Sequence, residues 1–515
     1  MTSPPPIHPR DEYDEILLSN VHPPDWKNPH PVGRYNLVVI GAGSAGLISA
    51  AVAAGLGARV ALVERHRLGG DCLNVGCVPS KSLIRVSRMV AESWRAAEEL
   101  GLPRPGTTDP DFGAAMRRVR RVRAQISHED SAKRYRDELG VDVYLGDARF
   151  VGRDSVDVGG SALRFRKAVI ATGARAAAPP IPGLAEAGYL TNETVFELTE
   201  RPPRLGVIGA GPIGCEMAQA FRRLGSEVTL FDTAPQLLSR EDADVAAIVE
   251  RRFREEGIGL VLGSRLERIE ARGAARVLHA HCADGSPRQV EVDRILVGAG
   301  RAPNVAGLGL ERVGVDYDGG RGVRVDDHLR TTNRRIFAAG DVCMDWKFTH
   351  AADAAAKIAV RNALFPAIPV LAPRQRLSRL VMPWCTYTDP EVAHVGLYAR
   401  EAEARGIRIE TLAVPLSQVN RAVTDGEEEG LVKVHVRSGS DRIVGATLVA
   451  THAGEMISEL TLAMVGGLGL KALLGVIHPY PVQAEGIKRV AGAFARSRLT
   501  PGLKRWLERL MAIQR

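Results

Sequence analysis

Two cysteines, Cys72 and Cys77, stand five residues apart in Gly69-Gly70-Asp71-Cys72-Leu73-Asn74-Val75-Gly76-Cys77-Val78-Pro79-Ser80-Lys81. On a turn running into a helix, this spacing lets the two sulfurs meet in a disulfide. Pro79 suits the first turn of that helix, where its missing N–H costs little. A thiolate at a helix N-terminus is favoured by the helix dipole, so at least one of the pair is expected to ionise more easily than an ordinary thiol. The alternative is a purely structural staple. What flanks the pair argues for redox chemistry instead.

Something must hold these thiols and supply electrons, and the preceding residues name a candidate. Residues 35–40 form a short apolar run rich in β-branched side chains, which predicts a buried parallel strand. It feeds Gly41-Ala42-Gly43-Ser44-Ala45-Gly46, an Ala-rich helix to Gly57, and a second strand ending at Glu64. In this fingerprint Gly41 permits the tight turn, Gly43 lets backbone approach a pyrophosphate, and Gly46 allows close helix packing. Glu64 stands twenty-three residues after Gly41 and can accept hydrogen bonds from ribose hydroxyls.

The same arrangement recurs. Residues 204–208 predict a strand, followed by Gly209-Ala210-Gly211-Pro212-Ile213-Gly214, a helix over 215–224, and a strand over 227–231 ending at Asp232. Asp232 is again twenty-three residues after the first glycine. Two such folds imply two nucleotides, and a reactive cysteine pair between them suggests electrons passing from one nucleotide to the other and then to sulfur.

The remaining elements follow in order. Residues 1–32 are rich in proline, histidine and acids without a sustained period, which predicts an extended arm or a partly disordered one. Residues 85–139 read as charged amphipathic helix broken by a loop at 101–110, and residues 141–150 and 155–165 as short antiparallel strands. Residues 167–173, ending in Ala171-Thr172-Gly173, and residues 294–300, ending in Gly300, read as strands closing the two folds. Residues 335–341 form a last strand that places Asp341 at a nucleotide edge, and an Ala-rich helix follows over 350–364. From about residue 383 short strands (431–436, 442–449) alternate with helices (453–465, 485–495), an α+β texture without a glycine fingerprint. Residues 502–515 predict a short basic amphipathic helix at the protein's periphery.

Composition narrows the functional classes. At 515 residues the chain exceeds a single core. The net charge of +8 is spread along the chain, and the arginine run at 117–123 is expected to be a solvated helix face rather than a nucleic-acid patch. Six cysteines are too few for a disulfide scaffold. No basic segment precedes an apolar core at the start, and the apolar stretch 460–477 is broken by glycines and Lys471. A reducing cytoplasm with no secretory signal and no membrane span is therefore expected. Cys385 and Cys215 are expected to be packing residues; Cys282 and Cys343 carry no spacing argument.

Taken together, the Cys72-x4-Cys77 element, both glycine fingerprints, Ala171-Thr172-Gly173, Gly298-x-Gly300-Arg301-x-Pro303-Asn304, Ala339-Gly340-Asp341 and the late Glu485 segment closely resemble the flavin-dependent pyridine nucleotide–disulfide oxidoreductases, over roughly residues 33 to 500. That family includes dihydrolipoamide dehydrogenase, glutathione reductase and mercuric reductase. The resemblance implies an α/β protein with two Rossmann-like folds and a C-terminal α+β dimerisation domain. Its implied boundaries are an N-terminal extension (1–32), an FAD domain in two parts (33–182 and 301–378), an NAD(P) domain (183–300), an interface domain (379–500) and a last helix (501–515). It implies FAD held by Gly41, Gly43, Gly46, Glu64, Gly70, Ala171, Thr172, Gly173 and Asp341, and NAD(P)H held by Gly209, Gly211, Gly214, Asp232 and Gly300. Cys77 would lie beside the flavin and Cys72 outward, with Lys81 near the flavin and paired to Glu216; a buried lysine needs such a partner. Asp232 favours NADH, since an acid binds the ribose 2′-hydroxyl and repels a 2′-phosphate; Arg240 nearby argues the other way. No resident metal is expected.

The chain departs from the pattern at one chemically important place. Disulfide reductases of the family place a histidine five residues before the late glutamate, contributed across a homodimer. Here His478-Pro479-Tyr480-Pro481-Val482-Gln483-Ala484-Glu485 puts Tyr480 there. Histidine titrates near neutrality and tyrosine near 10, so Tyr480 is a poor proton shuttle. His478, two residues earlier, remains a candidate if the segment bends. A tyrosine at this position is a feature of mercuric reductases, which also carry a late cysteine pair; here no cysteine follows Cys385. The expected activity is electron transfer from NAD(P)H through FAD to Cys72–Cys77 and on to an acceptor such as Hg(II) or another small molecule, with Tyr480 and Glu485 of the partner lining the acceptor site. Dihydrolipoamide dehydrogenase is the alternative enzyme, and a redox sensor without turnover the alternative of another class.

Overall fold

The computed structural model describes residues 7–101, 110–366 and 373–514. The chain divides into two compact units. One comprises residues 1–210, 217–233 and 258–380; the other comprises 211–216, 234–257 and 381–515.

In the first unit, strands Arg34–Ile40, Val60–Glu64, Asp142–Leu145 and Ser161–Ile170 make a parallel array in the order third, second, first, fourth. The runs are apolar on both faces because helices or sheet cover both sides, and Leu37 through Ile40 are all buried. A second parallel array repeats that order with Gly259–Val261, Glu227–Phe231, Arg204–Ile208 and Arg294–Val297. The repeat read from the two glycine fingerprints is thus a repeat of topology. An antiparallel ribbon of Arg265–Arg272, Ala275–His281 and Pro287–Val292 follows the second array.

Several expectations need correction here. Residues 141–150 split into the parallel edge strand Asp142–Leu145 and a separate strand Ala148–Gly152. Residues 155–173 are not two independent strands after Ser155. After the short strand Ser155–Val158, one long strand, Ser161–Ile170, does two jobs. Its first half pairs antiparallel with Ser155–Val158, and its second half pairs parallel with Arg34–Ile40 and Ile336–Ala338. The N-terminal arm is not featureless: Glu12–Val21 is a helix with Leu17 and Val21 fully buried. Its start is fixed by a reciprocal capping box between Asp11 and Asp14. The arginine run is not wholly solvated either. On helix Phe112–Ile126, Arg120 and Arg123 are buried, with Arg120 Nε 2.6 Å from Asp11 and Arg123 2.7 Å from Asp14. Acids on one helix meet cations on another, and the burial is tolerable because each charge has its counterion. Helix Cys77–Leu100 is continuous to Leu100; most of the loop expected at 101–110 lies outside the described residues.

The second unit holds a five-stranded antiparallel sheet in the order Pro383–Thr386, Glu391–Gly396, Ile443–Ala450, Leu431–Arg437, Ile409–Pro415. Helices Ala453–Val465 and Glu485–Ser497 pack on it around Val432, Val434, Leu448, Leu460, Val490 and Phe494. Cys385 is half-buried at this core's edge, its sulfur 4.0 Å from Glu391 Oε2, and Cys215 is fully buried. Among the described residues no helix is long and apolar enough to cross a membrane.

Candidate active site

The cysteines lie where the spacing placed them. Cys72 is on the one-turn helix Gly70–Asn74, and Cys77 opens helix Cys77–Leu100. Gly69 and Gly70 have φ of +89° and +54°, left-handed values that let the chain turn into this helix. A Cβ on Gly70 would sit 2.6 Å from the Cα of Gly43. The phosphate-type turn and the cysteine turn therefore pack backbone to backbone, which requires glycine on both sides. Gly69 N donates to Ala42 O at 2.9 Å and fixes the same junction.

Cys77 is exposed, Cys72 half-buried, and a hydrogen bond with Cys77 pushes the Cys72 thiol well above the ordinary range, with burial adding to it. Cys72 is therefore harder to ionise than an ordinary thiol. Opposing this is Thr349, whose hydroxyl lies 3.4 Å from Cys77 Sγ and also favours the ionised form of Cys72. Thr349 is the first residue of helix Thr349–Leu364. The helix expected over 350–364 is present and begins one residue earlier, with the Thr349 hydroxyl that faces the cysteines.

A charged cluster supports the loop. Arg301 bonds Asp71 and the carbonyl of Ala174 (3.0 Å), and its Nε is 3.3 Å from Asp341. Burial raises Asp341 above the usual carboxylate range, while Arg301 and Lys347 pull the other way. Behind the loop, Arg123 donates to the Asn74 carbonyl at 2.9 Å and to Asp14 at 2.7 Å. Leu68 N donates to Val21 O at 3.0 Å, so the N-terminal helix is tied to the cysteine turn at two points. Asp130 approaches from the same side: its Oδ2 would be 3.0 Å from a Cβ on Gly69, and burial raises its pKa to about 6.

The residues of the first fingerprint fit a dinucleotide. Gly41 has φ +99°, and a Cβ there would lie 2.4 Å from Ala171 O, so the turn closes directly on the Ala171-Thr172-Gly173 segment. A Cβ on Gly46 would fall 1.7 Å from Gly41 O. Helix Ser44–Gly55 has Gly43 at its N-cap and no side-chain cap, which leaves first-turn N–H groups for an anion. Glu64, buried and raised by that burial, accepts from Ala42 N at 2.7 Å and His66 N at 2.8 Å. It is an acceptor-only group whose remaining lone pairs suit ribose hydroxyls. Thr172 Oγ1 donates to Asn304 O at 2.7 Å, Asn304 Nδ2 returns a bond to Thr172 O at 3.0 Å, and strand Arg301–Pro303 pairs with Ala174–Ala176. Motifs 132 residues apart are thereby one structural element.

The second fingerprint repeats the geometry. Asp232 Oδ2 accepts from Ala210 N at 2.5 Å, the counterpart of Glu64 and Ala42. Gly209 has φ +107° and would meet Gly298 and Ala299 at 3.1 Å if it carried a Cβ. Gly300, at φ +92°, precedes strand Arg301–Pro303.

Lys81 is in the second turn of helix Cys77–Leu100, and Glu216, buried, accepts from Tyr387 N at 2.9 Å in the second unit. In that unit His478 Nε2 is 3.1 Å from Glu459, Tyr480 is 73 % exposed with its hydroxyl 3.0 Å from Asn420 Nδ2, and Glu485 pairs with Arg489 at 2.9 Å. His478 and Tyr480 thus engage different partners.

Residues 35–356 match the pyridine nucleotide-disulphide oxidoreductase family, and residues 382–491 match the dimerisation domain of the same family. The chain is 35% identical to a mercuric reductase of Bacillus cereus over 455 residues, 88% of this chain and 70% of that protein. It is 33% identical to a dihydrolipoyl dehydrogenase of Thermus scotoductus, covering 89% and 97% of the two. Among solved structures it is similar to the HOCl-induced flavoprotein disulfide reductase RclA of Escherichia coli, with TM-score 0.78, 29% identity and coverage of 89% and 99%. The chain therefore belongs to the pyridine nucleotide-disulphide oxidoreductases and is an FAD-dependent enzyme that passes electrons from NAD(P)H to a disulfide.

Proposed function

We propose that the dithiol of this enzyme serves a soft, thiol-binding metal ion, with Hg(II) the first candidate, rather than a small disulfide. The observation that carries this reading is at the late segment. His478 is engaged by Glu459, and the position five residues before Glu485 is an exposed tyrosine. A disulfide leaving as two thiols needs protons near neutral pH, which Tyr480 supplies poorly. A metal ion needs none. It displaces the protons of both cysteines. Oxidation of the two metal-bound thiolates to the Cys72–Cys77 disulfide delivers two electrons and releases the reduced metal. The similarity to mercuric reductases supports the same reading.

Bound FAD supplies the two-electron link between NAD(P)H and the thiols. Gly41, Gly43, Gly46, Glu64, Gly70, Ala171, Thr172, Gly173 and Asp341 are the residues proposed to hold it, and Gly209, Gly211, Gly214, Asp232 and Gly300 to hold the nicotinamide nucleotide. NADH is the proposed reductant, because the Asp232 carboxylate would repel a 2′-phosphate. Cys77 is proposed as the thiol beside the flavin, Cys72 as the thiol that meets acceptor, and the Lys81–Glu216 pair as the charge support of the flavin side. Tyr480 and Glu485 would reach the acceptor site across a homodimer, in the cytoplasm. Turnover with NADH and with NADPH against Hg(II), glutathione disulfide and dihydrolipoamide (the last with the oxidised nucleotide) tests the proposal.

A further inference from the structure

Helix Pro501–Ile513 lies beyond the region that matches the family, and no residue in it is buried. Thr500 caps it by accepting from Leu503 N. At 100° per residue, Leu503, Trp506, Leu507, Leu510 and Ile513 fall on one side of the helix. That side is largely exposed: Trp506 is 58 % exposed and Ile513 83 %, with Leu507 partly covered. The expectation was an amphipathic helix at the periphery; it is present, and the described residues leave its apolar side largely uncovered. Lys504 and Arg509 border the two edges of the apolar side, Arg505 lies opposite, and Glu508 is the only acid.

We propose that this helix lies flat on an anionic lipid surface and docks the enzyme there. Charge complementarity selects this occupant. Three cations against one carboxylate suit phosphate-bearing headgroups, and two of them flank the apolar stripe where long side chains reach outward to a headgroup layer. Trp506 has the amphipathic ring that favours such an interface. Two copies of the helix facing each other would instead oppose cation to cation. At 1.5 Å per residue the thirteen-residue helix is about 20 Å long, short of a hydrocarbon core of about 30 Å, so it lies on the bilayer and does not span it.

Co-sedimentation of the full-length, FAD-loaded enzyme with vesicles of phosphatidylcholine alone, or mixed with phosphatidylglycerol, tests this. Binding to the anionic vesicles should exceed binding to the neutral ones by about tenfold and fall in high salt. Leu510→Glu should abolish it while flavin content and NAD(P)H oxidation stay at the wild-type level. Lys504→Gln with Arg509→Gln should weaken it without changing the elution volume of the protein. Equal or absent binding to both vesicles overturns the proposal, as does undiminished binding by Leu510→Glu. A shift of Leu510→Glu to a smaller assembly also overturns it, because the face would then be a contact between copies.

Discussion

The sulfur of Cys77 lies 3.4 Å from the hydroxyl of Thr349, at the N-terminus of helix Thr349–Leu364. That hydroxyl also opposes the influences that keep the Cys72 proton in place. Thr349→Val should therefore raise the pH at which Cys72 of the reduced enzyme is half-alkylated, by about one unit for the loss of one hydrogen bond to a charged group. An unchanged midpoint would show that the hydroxyl does not tune the pair.

Asp14 and Arg123 form an ion pair with side chains 1% and 3% exposed, and Arg123 continues to the Asn74 carbonyl behind Cys72. The helix that carries Asp14 precedes the region matching the family, which begins at residue 35. Asp14→Ala strands a buried guanidinium, at a cost of roughly 3–5 kcal/mol. The melting temperature of the fold that carries the cysteines should fall, and Asp14→Ala with Arg123→Leu should cost less than the sum of the two. Additive losses would mean the pair is not coupled.

Asp130 is raised to about 6 by burial, with Glu129 adding and Arg134 opposing. Its unfolded value is near 4, so the folded state binds the extra proton between these pH values. Stability from this group is fully present below pH 4 and is lost as pH rises through 6, about 3 kcal/mol in all. Asp130→Asn should thus be more stable than wild type at pH 7 and equal to it at pH 4, in thermal melts across that range. Equal stability at both would place Asp130 in water.

Cys72→Ala should remove acceptor turnover while leaving the bleaching of flavin absorbance by NADH intact. Wild-type turnover by this variant would exclude Cys72 as the thiol that meets the acceptor.

Much of this architecture was legible because it is local. Each glycine fingerprint, its strand and its acid at twenty-three residues lie within one βαβ unit, and the acids end at matching amides, Ala42 and Ala210. What was not legible depends on distant partners. Arg120 and Arg123 look solvated until Asp11 and Asp14, more than a hundred residues earlier, are seen to face them. The capping box at Asp11 was a readable helix start, but the surrounding prolines obscured it. The strand Ser161–Ile170 read as two because its halves have different neighbours. The upward shift of the Cys72 thiol follows from its contact with Cys77 and its burial, neither visible in a spacing.

The most direct test of the proposed acceptor is steady-state NADH oxidation by the FAD-loaded enzyme with thiol-complexed Hg(II), compared with glutathione disulfide and, in the reverse direction, dihydrolipoamide at neutral pH. The account predicts Hg(II)-dependent turnover at least about a hundredfold above either alternative, the scale of a lost general acid–base. Turnover of a disulfide or of dihydrolipoamide at a rate equal to or above that with Hg(II) would contradict it.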